Sequence, residues 1–68
     1  MARARQVRKA LAKAGWTLLA VRGSHHVYRK HGRIEVFAYH DNVDLGGPRM
    51  AIVAKQFGLT IDQLRRLL

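Results

Sequence analysis

The stretch Gly23-Ser24-His25-His26-Val27-Tyr28 places two adjacent imidazoles at the start of a β-prone run, in a chain of 68 residues carrying a formal net charge of +9. Histidine is the side chain whose ordinary pKa lies nearest neutrality, so one imidazole both takes and returns a proton at cellular pH. A strongly basic surface is what a polyanionic partner requires. On RNA, an imidazole can remove the 2′-OH proton. That oxygen then attacks the adjacent phosphorus and expels the 5′-oxygen, with no metal in the scheme. Acid–base assistance of this kind contributes about 10²–10⁴-fold, and nearby Arg or Lys side chains stabilise the extra negative charge of the transition state. With one working histidine and no evident second acid, modest turnover is expected.

Adjacent residues in a strand point to opposite faces, so His25 shares a face with Val27 and His26 with Tyr28. Only one of the two can face a given groove, and composition alone leaves both open. The ordinary alternative is a pair of partly exposed polar residues without a special role. Ser24 is a possible nucleophile, but no triad signature surrounds it, and a hydrogen-bonding turn residue is the simpler role. His25, His26, His31 and His40 fit no zinc spacing, so neither a metal nor another cofactor is expected. Arg22, Arg29, Lys30 and Arg33 surround the histidines in sequence and are the expected RNA contacts. Tyr28 and Tyr39 are candidates for stacking on bases, whereas Trp16 and Phe37 suit a core.

The elements that must position these groups follow from periodicity. Val7, Ala10, Leu11 and Ala14 form one apolar stripe of an amphipathic helix over residues 3–14, with Gly15 at its end. Arg3, Arg5, Arg8, Lys9 and Lys13 occupy its other faces. Strands are expected over Trp16 to Arg22, His25 to Lys30 and Arg33 to His40, with breaks at Gly23-Ser24 and His31-Gly32. In the third, Ile34, Val36 and Ala38 alternate with Arg33, Glu35, Phe37 and Tyr39, which reads as a sheet with one covered face. Asp41 to Asp44 is a polar connection. Pro48 then opens a helix carrying Met50, Val53, Ala54 and Phe57, stopped by Gly58. Thr60-Ile61-Asp62-Gln63 matches a capping box, with Leu59 and Leu64 as the hydrophobic staple of a last short helix. The expectation is an α+β fold, α-β-β-β-α-α, with a three-stranded antiparallel meander and helices on one face.

This length is one domain, residues 1–68, with a thin core. The absence of cysteine excludes a disulfide framework, a thiolate metal site and a cysteine nucleophile. No apolar run approaches the roughly 20 residues of a membrane helix, and the basic N-terminus lacks the apolar core of a secretory signal. The cytoplasm is the default location, with no membrane partner. The last two helices, joined by a glycine turn, also resemble a helix-turn-helix. Arg65 and Arg66 would be its readers, but Gly58 and the Thr60 cap explain that stretch without DNA.

The order of these motifs resembles the HicA family of mRNA interferase toxins, from about Val7 to Leu68. The resemblance is carried by Ala14-Gly15-Trp16, Arg22-Gly23-Ser24-His25-His26-Val27-Tyr28-Arg29, the Gly32 hairpin, Val36 to His40, and Leu45-Gly46-Gly47 leading into Ile52 to Thr60. It implies a fold like that of double-stranded RNA-binding domains, ribosome-independent cleavage of mRNA, and neutralisation by a HicB-type antitoxin. The family's catalytic histidine falls on His25, counting back from Gly32, with His26 and Ser24 as alternative or supporting groups. His40 matches a histidine common at the end of the third strand, implied to be structural or to position substrate. Phe37-Ala38-Tyr39-His40 departs from the family's usual Val-Pro-x-His, and Gly47-Pro48-Arg49 from its Gly-Thr-Leu. The alternatives to a nuclease are a non-catalytic RNA-binding module on the same fold and the helix-turn-helix DNA binder.

Overall fold

The protein was analysed as a computed structural model that describes residues 2–68. In chain order the elements are β1 (Ala2–Arg3), α1 (Ala4–Lys13), β2 (Thr17–Arg22), β3 (His25–Lys30), β4 (Arg33–Ala38), β5 (Asp44–Leu45), α2 (Gly47–Gln56) and α3 (Ile61–Leu67). Strands β2, β3 and β4 form the antiparallel meander expected from the sequence, and the helices cover one of its faces. The α+β class and the α-β-β-β-α order of a double-stranded-RNA-binding-domain-like fold are therefore correct.

The stripe on α1 is buried at Val7, Ala10 and Leu11, and Ala4 extends it. At its N-terminus the helix must satisfy backbone N–H groups that have no partner within the helix. Ala4 N–H donates to the Val43 carbonyl at 2.8 Å and Arg5 N–H to the Asp41 carbonyl at 3.1 Å. The loop after the sheet thus caps the first helix. This contact accompanies the small β1–β5 ladder, Ala2 opposite Leu45 and Arg3 opposite Asp44, which periodicity did not signal because each strand has only two residues. The third strand ends at Ala38, two residues before the expected His40, and the chain then turns into that loop.

Both hairpins of the meander are two-residue turns. Lys30 pairs with Arg33 around His31-Gly32, whose φ values of 50° and 77° are those of a type I′ turn, where glycine is favoured. Arg22 pairs with His25 around Gly23-Ser24. On β2 the register slips between Leu18 and Ala20, so Leu19 is the extra residue of a bulge.

The covered face is the opposite of the one suggested by the aliphatic alternation of β4. Phe37 is buried, with His26 and Tyr28 from β3 also on the helix side. Ile34, Val36 and Ala38 face outward, and Ile34 is 50% exposed. One Phe ring fills more of the gap beneath the helices than the smaller Val36 and Ala38 side chains on either side of it. Two aromatic edge contacts fix this packing. The Phe57 ring lies 4.9 Å from Trp16 and 5.9 Å from Tyr28, both nearly perpendicular. The indole N–H of Trp16 donates to the Phe57 carbonyl at 3.2 Å.

Helix α2 begins at Gly47, one residue before the expected Pro48, and buries Met50, Val53 and Ala54. The capping box of α3 forms as expected. Gln63 N–H donates to Thr60 Oγ1 at 3.1 Å, and Thr60 N–H donates to Gln63 Oε1 at 2.8 Å. Leu64 is fully buried, and Leu59 is partly buried against the same core. Among the described residues no helix is long and apolar enough to cross a membrane.

Candidate functional site

The Gly23-Ser24 turn ends β2 and starts β3, so His25 and His26 stand in the end row and the adjoining row of the sheet. Strand parity separates them as expected. His25 is exposed on the outer face, in a row with Arg22 of β2 and Ala38 of β4. Among the described residues, neither His25 nor Arg22 has a side-chain hydrogen bond or ion pair within the protein, so both are available to a partner.

His26 lies on the inner face and is only 6% exposed. Its Nδ1 is 2.9 Å from the Ser24 carbonyl and 3.3 Å from the Phe37 carbonyl. Carbonyl oxygens only accept, so Nδ1 carries the proton and donates to both. That fixes the tautomer of the neutral ring and leaves Nε2 as a lone-pair acceptor.

A cavity of about 330 Å³ opens at this end of the sheet, lined by Val21, Gly23, Ser24, His26, His40 and Asp41. Its Asp41 wall is held from α1, where Arg8 donates to Asp41 Oδ1 from Nε at 2.9 Å and from Nη2 at 2.7 Å. The Arg8 hydrogen bond and the Arg8 charge hold the Asp41 carboxyl below its ordinary pKa. On Arg8, burial works against the charge, but the hydrogen-bonded Asp41 carboxylate and the nearby Tyr28 hydroxyl outweigh it and raise its pKa. No group of three His, Asp or Glu side chains close enough to hold a metal ion occurs among the described residues.

The remaining candidates do not all converge here. Ser24, half-buried, and His40, exposed, both line the cavity. Arg29 projects outward between Thr17 and Ile34. Lys30 and Arg33 lie at the opposite end of the meander, about 17 Å from His25 at the usual rise per strand residue. Lys30 Nζ donates to the Ala14 carbonyl at 2.6 Å, and Arg33 bonds Glu35 Oε2 and the Gln56 carbonyl. Their first partners are thus within the protein.

Tyr28 requires a correction. It is 2% exposed and packs edge-on against Phe57, so its ring has no free face for a base. Tyr39 is half-buried beside Phe37, with the Arg49 guanidinium 5.9 Å from its ring centre.

Two features escaped the sequence reading. The Arg8–Asp41 pair joins residues 33 apart, and local spacing carries no signal for such a contact. The other is the aliphatic outer face, where Ala20, Val27 and Val36 form one row and Ile34 the edge of the next, with no helix over them. The apolar alternation of β4 was visible in the sequence, but which side the helices take was not.

A comparison with known families finds that the model described as "HicA toxin of bacterial toxin-antitoxin" matches residues 4–59. No curated protein and no solved structure gives a match.

Proposed function

Since the chain belongs to the HicA toxin family of bacterial toxin–antitoxin systems, we propose that it is an mRNA interferase, an endoribonuclease in which His25 provides metal-independent acid–base catalysis. The observation that carries this reading, beside the family, is the exposed His25 imidazole at the sheet end, with Arg22 next to it on the same face and both side chains unengaged. An RNA strand reaches such a ring without any opening of the fold. His25 would take the 2′-OH proton and return it to the departing 5′-oxygen, and Arg22 would offset the charge that develops on the phosphorane. Residues 1–68 act as one toxin domain in the cytoplasm. Ser24, His26 and His40 support the site from the cavity side, and Arg29, Lys30 and Arg33 contribute longer-range attraction for the polyanion.

The family also implies an antitoxin, and we take it to be a protein of the HicB type. The outer face supports a protein contact, because its aliphatic side chains have no aromatic platform for bases yet form the row next to His25. A partner seated there would cover the catalytic ring.

The test is incubation of the protein with an mRNA in EDTA, followed by identification of the new ends. The mechanism predicts undiminished cutting that leaves a 2′,3′-cyclic phosphate and a 5′-hydroxyl. Complete inhibition by EDTA overturns the metal-free chemistry, and binding without cutting supports an RNA-binding module instead.

A further inference from the structure

Two of the residues that line the cavity behind the histidine pair each carry a side-chain atom with no bond within the protein. The first is His26 Nε2. The ring is nine-tenths buried and its Nδ1 is committed to two carbonyls. No buried side-chain nitrogen or oxygen among the described residues lacks a partner. Nε2 makes no bond within the protein, so it is not sealed from solvent, and the residue lines the cavity. The second acceptor is Asp41. Arg8 places both of its hydrogen bonds on Oδ1, which leaves Oδ2 unengaged on a side chain that remains half-exposed.

Two acceptors, one of them a carboxylate, disfavour a phosphate and favour a neutral group with N–H donors. Among the parts of RNA, that group is an exocyclic amino group of a base, which offers two hydrogens from one nitrogen. Uracil and hypoxanthine lack it: uracil presents two carbonyls flanking a single N–H, and hypoxanthine one carbonyl beside a single N–H. A cavity near 300 Å³ is at the small end of ligand sites, suited to one base rather than a larger ligand.

The cavity and His25 also share the Gly23-Ser24 turn, one on each side of the sheet end. A side chain added at Gly23 would meet nothing within 4 Å, so the backbone there is open to close approach by a strand. We propose that this cavity is a nucleobase subsite. It seats an amino-bearing base of the RNA strand that crosses the turn to His25, with His26 Nε2 and Asp41 Oδ2 as its acceptors. The inference rests on the reading of the protein as an RNA-cutting toxin, and it adds to that reading a preference among bases.

The test uses short 2′-O-methyl RNA oligomers, which cannot be cut through the 2′-oxygen, differing at one position in adenine, guanine, cytosine, uracil or hypoxanthine. Binding is followed by the imidazole NMR signals of His26 and His40. Amino-bearing bases are expected to bind about tenfold more tightly than uracil or hypoxanthine, and Asp41→Asn, which keeps an oxygen for Arg8, is expected to remove most of the difference. Equal affinities across the base series overturn the subsite, and the wild-type series alone decides this should the variant not fold. Cutting of unmodified RNA without base preference also overturns the subsite, but leaves the nuclease standing. A base preference without any cutting supports the subsite and overturns the nuclease.

Discussion

The two neighbouring imidazoles serve opposite sides of one strand, and substitutions should separate them. His25 is exposed and makes no bond within the protein, so His25→Ala is expected to change stability by less than about 0.5 kcal/mol, as at other surface positions. His26 satisfies two carbonyls from a buried ring that also lies against Phe37, with centroids 6.3 Å apart. His26→Ala is expected to cost about 1–3 kcal/mol, because it removes a buried ring and the donor that serves two carbonyls, one of them in a buried contact. Urea denaturation of the two variants measures the contrast, and equal losses would contradict the placement of the rings. The parity of the pair was legible in the sequence. Which member faces the helices was not, because that depends on whether Phe37 or its aliphatic neighbours fill the space beneath them.

At the scale of elements, the loop after β4 joins the site to the first helix. It supplies carbonyls to the α1 N-terminus and, through Asp41, an acceptor for Arg8. The Asp41 carboxyl is held below its ordinary value in the folded protein, so its contribution to stability is fully present above its unfolded pKa. That contribution is lost as the pH falls through the lower folded value. Asp41→Asn is therefore expected to flatten the loss of stability below about pH 4, read from urea midpoints at neutral and acid pH; an unchanged acid limb would contradict the coupling. Strand β4 carries the second element-scale expectation. Ile34→Glu places a charge on the aliphatic outer face two rows from His25, and should weaken antitoxin affinity by tenfold or more while RNA cutting persists. Titration calorimetry beside a cleavage assay checks both arms, and undiminished affinity would place the antitoxin elsewhere. Helix starts at proline and threonine caps were readable because caps are local chemistry. The β1–β5 ladder and the Arg8–Asp41 pair were not, because both join distant segments through a few residues.

Over the whole molecule, three of the four acidic side chains are already paired with arginine, at Arg3–Asp44, Arg8–Asp41 and Arg33–Glu35. Of the remaining cations, Arg22 and Arg29 face solvent, and RNA affinity should fall steeply and linearly on a logarithmic salt scale. A flat response in filter binding would remove the electrostatic part of the account. Fold class, strand order and the family's motif were all present in the residues, since turns, periodicity and caps agreed at each step. The division of the basic residues was not: Lys30 and Arg33 bond carbonyls at the far end of the sheet, whereas Arg22 stands beside His25. The central claim is that His25 cuts RNA without a metal. It is tested most directly by single-turnover cleavage of one mRNA, in EDTA, by the wild type and His25→Ala at matched folded concentration. A loss of at least about 10²-fold is expected for the variant; cutting at the wild-type rate would rule out His25 as the catalytic group.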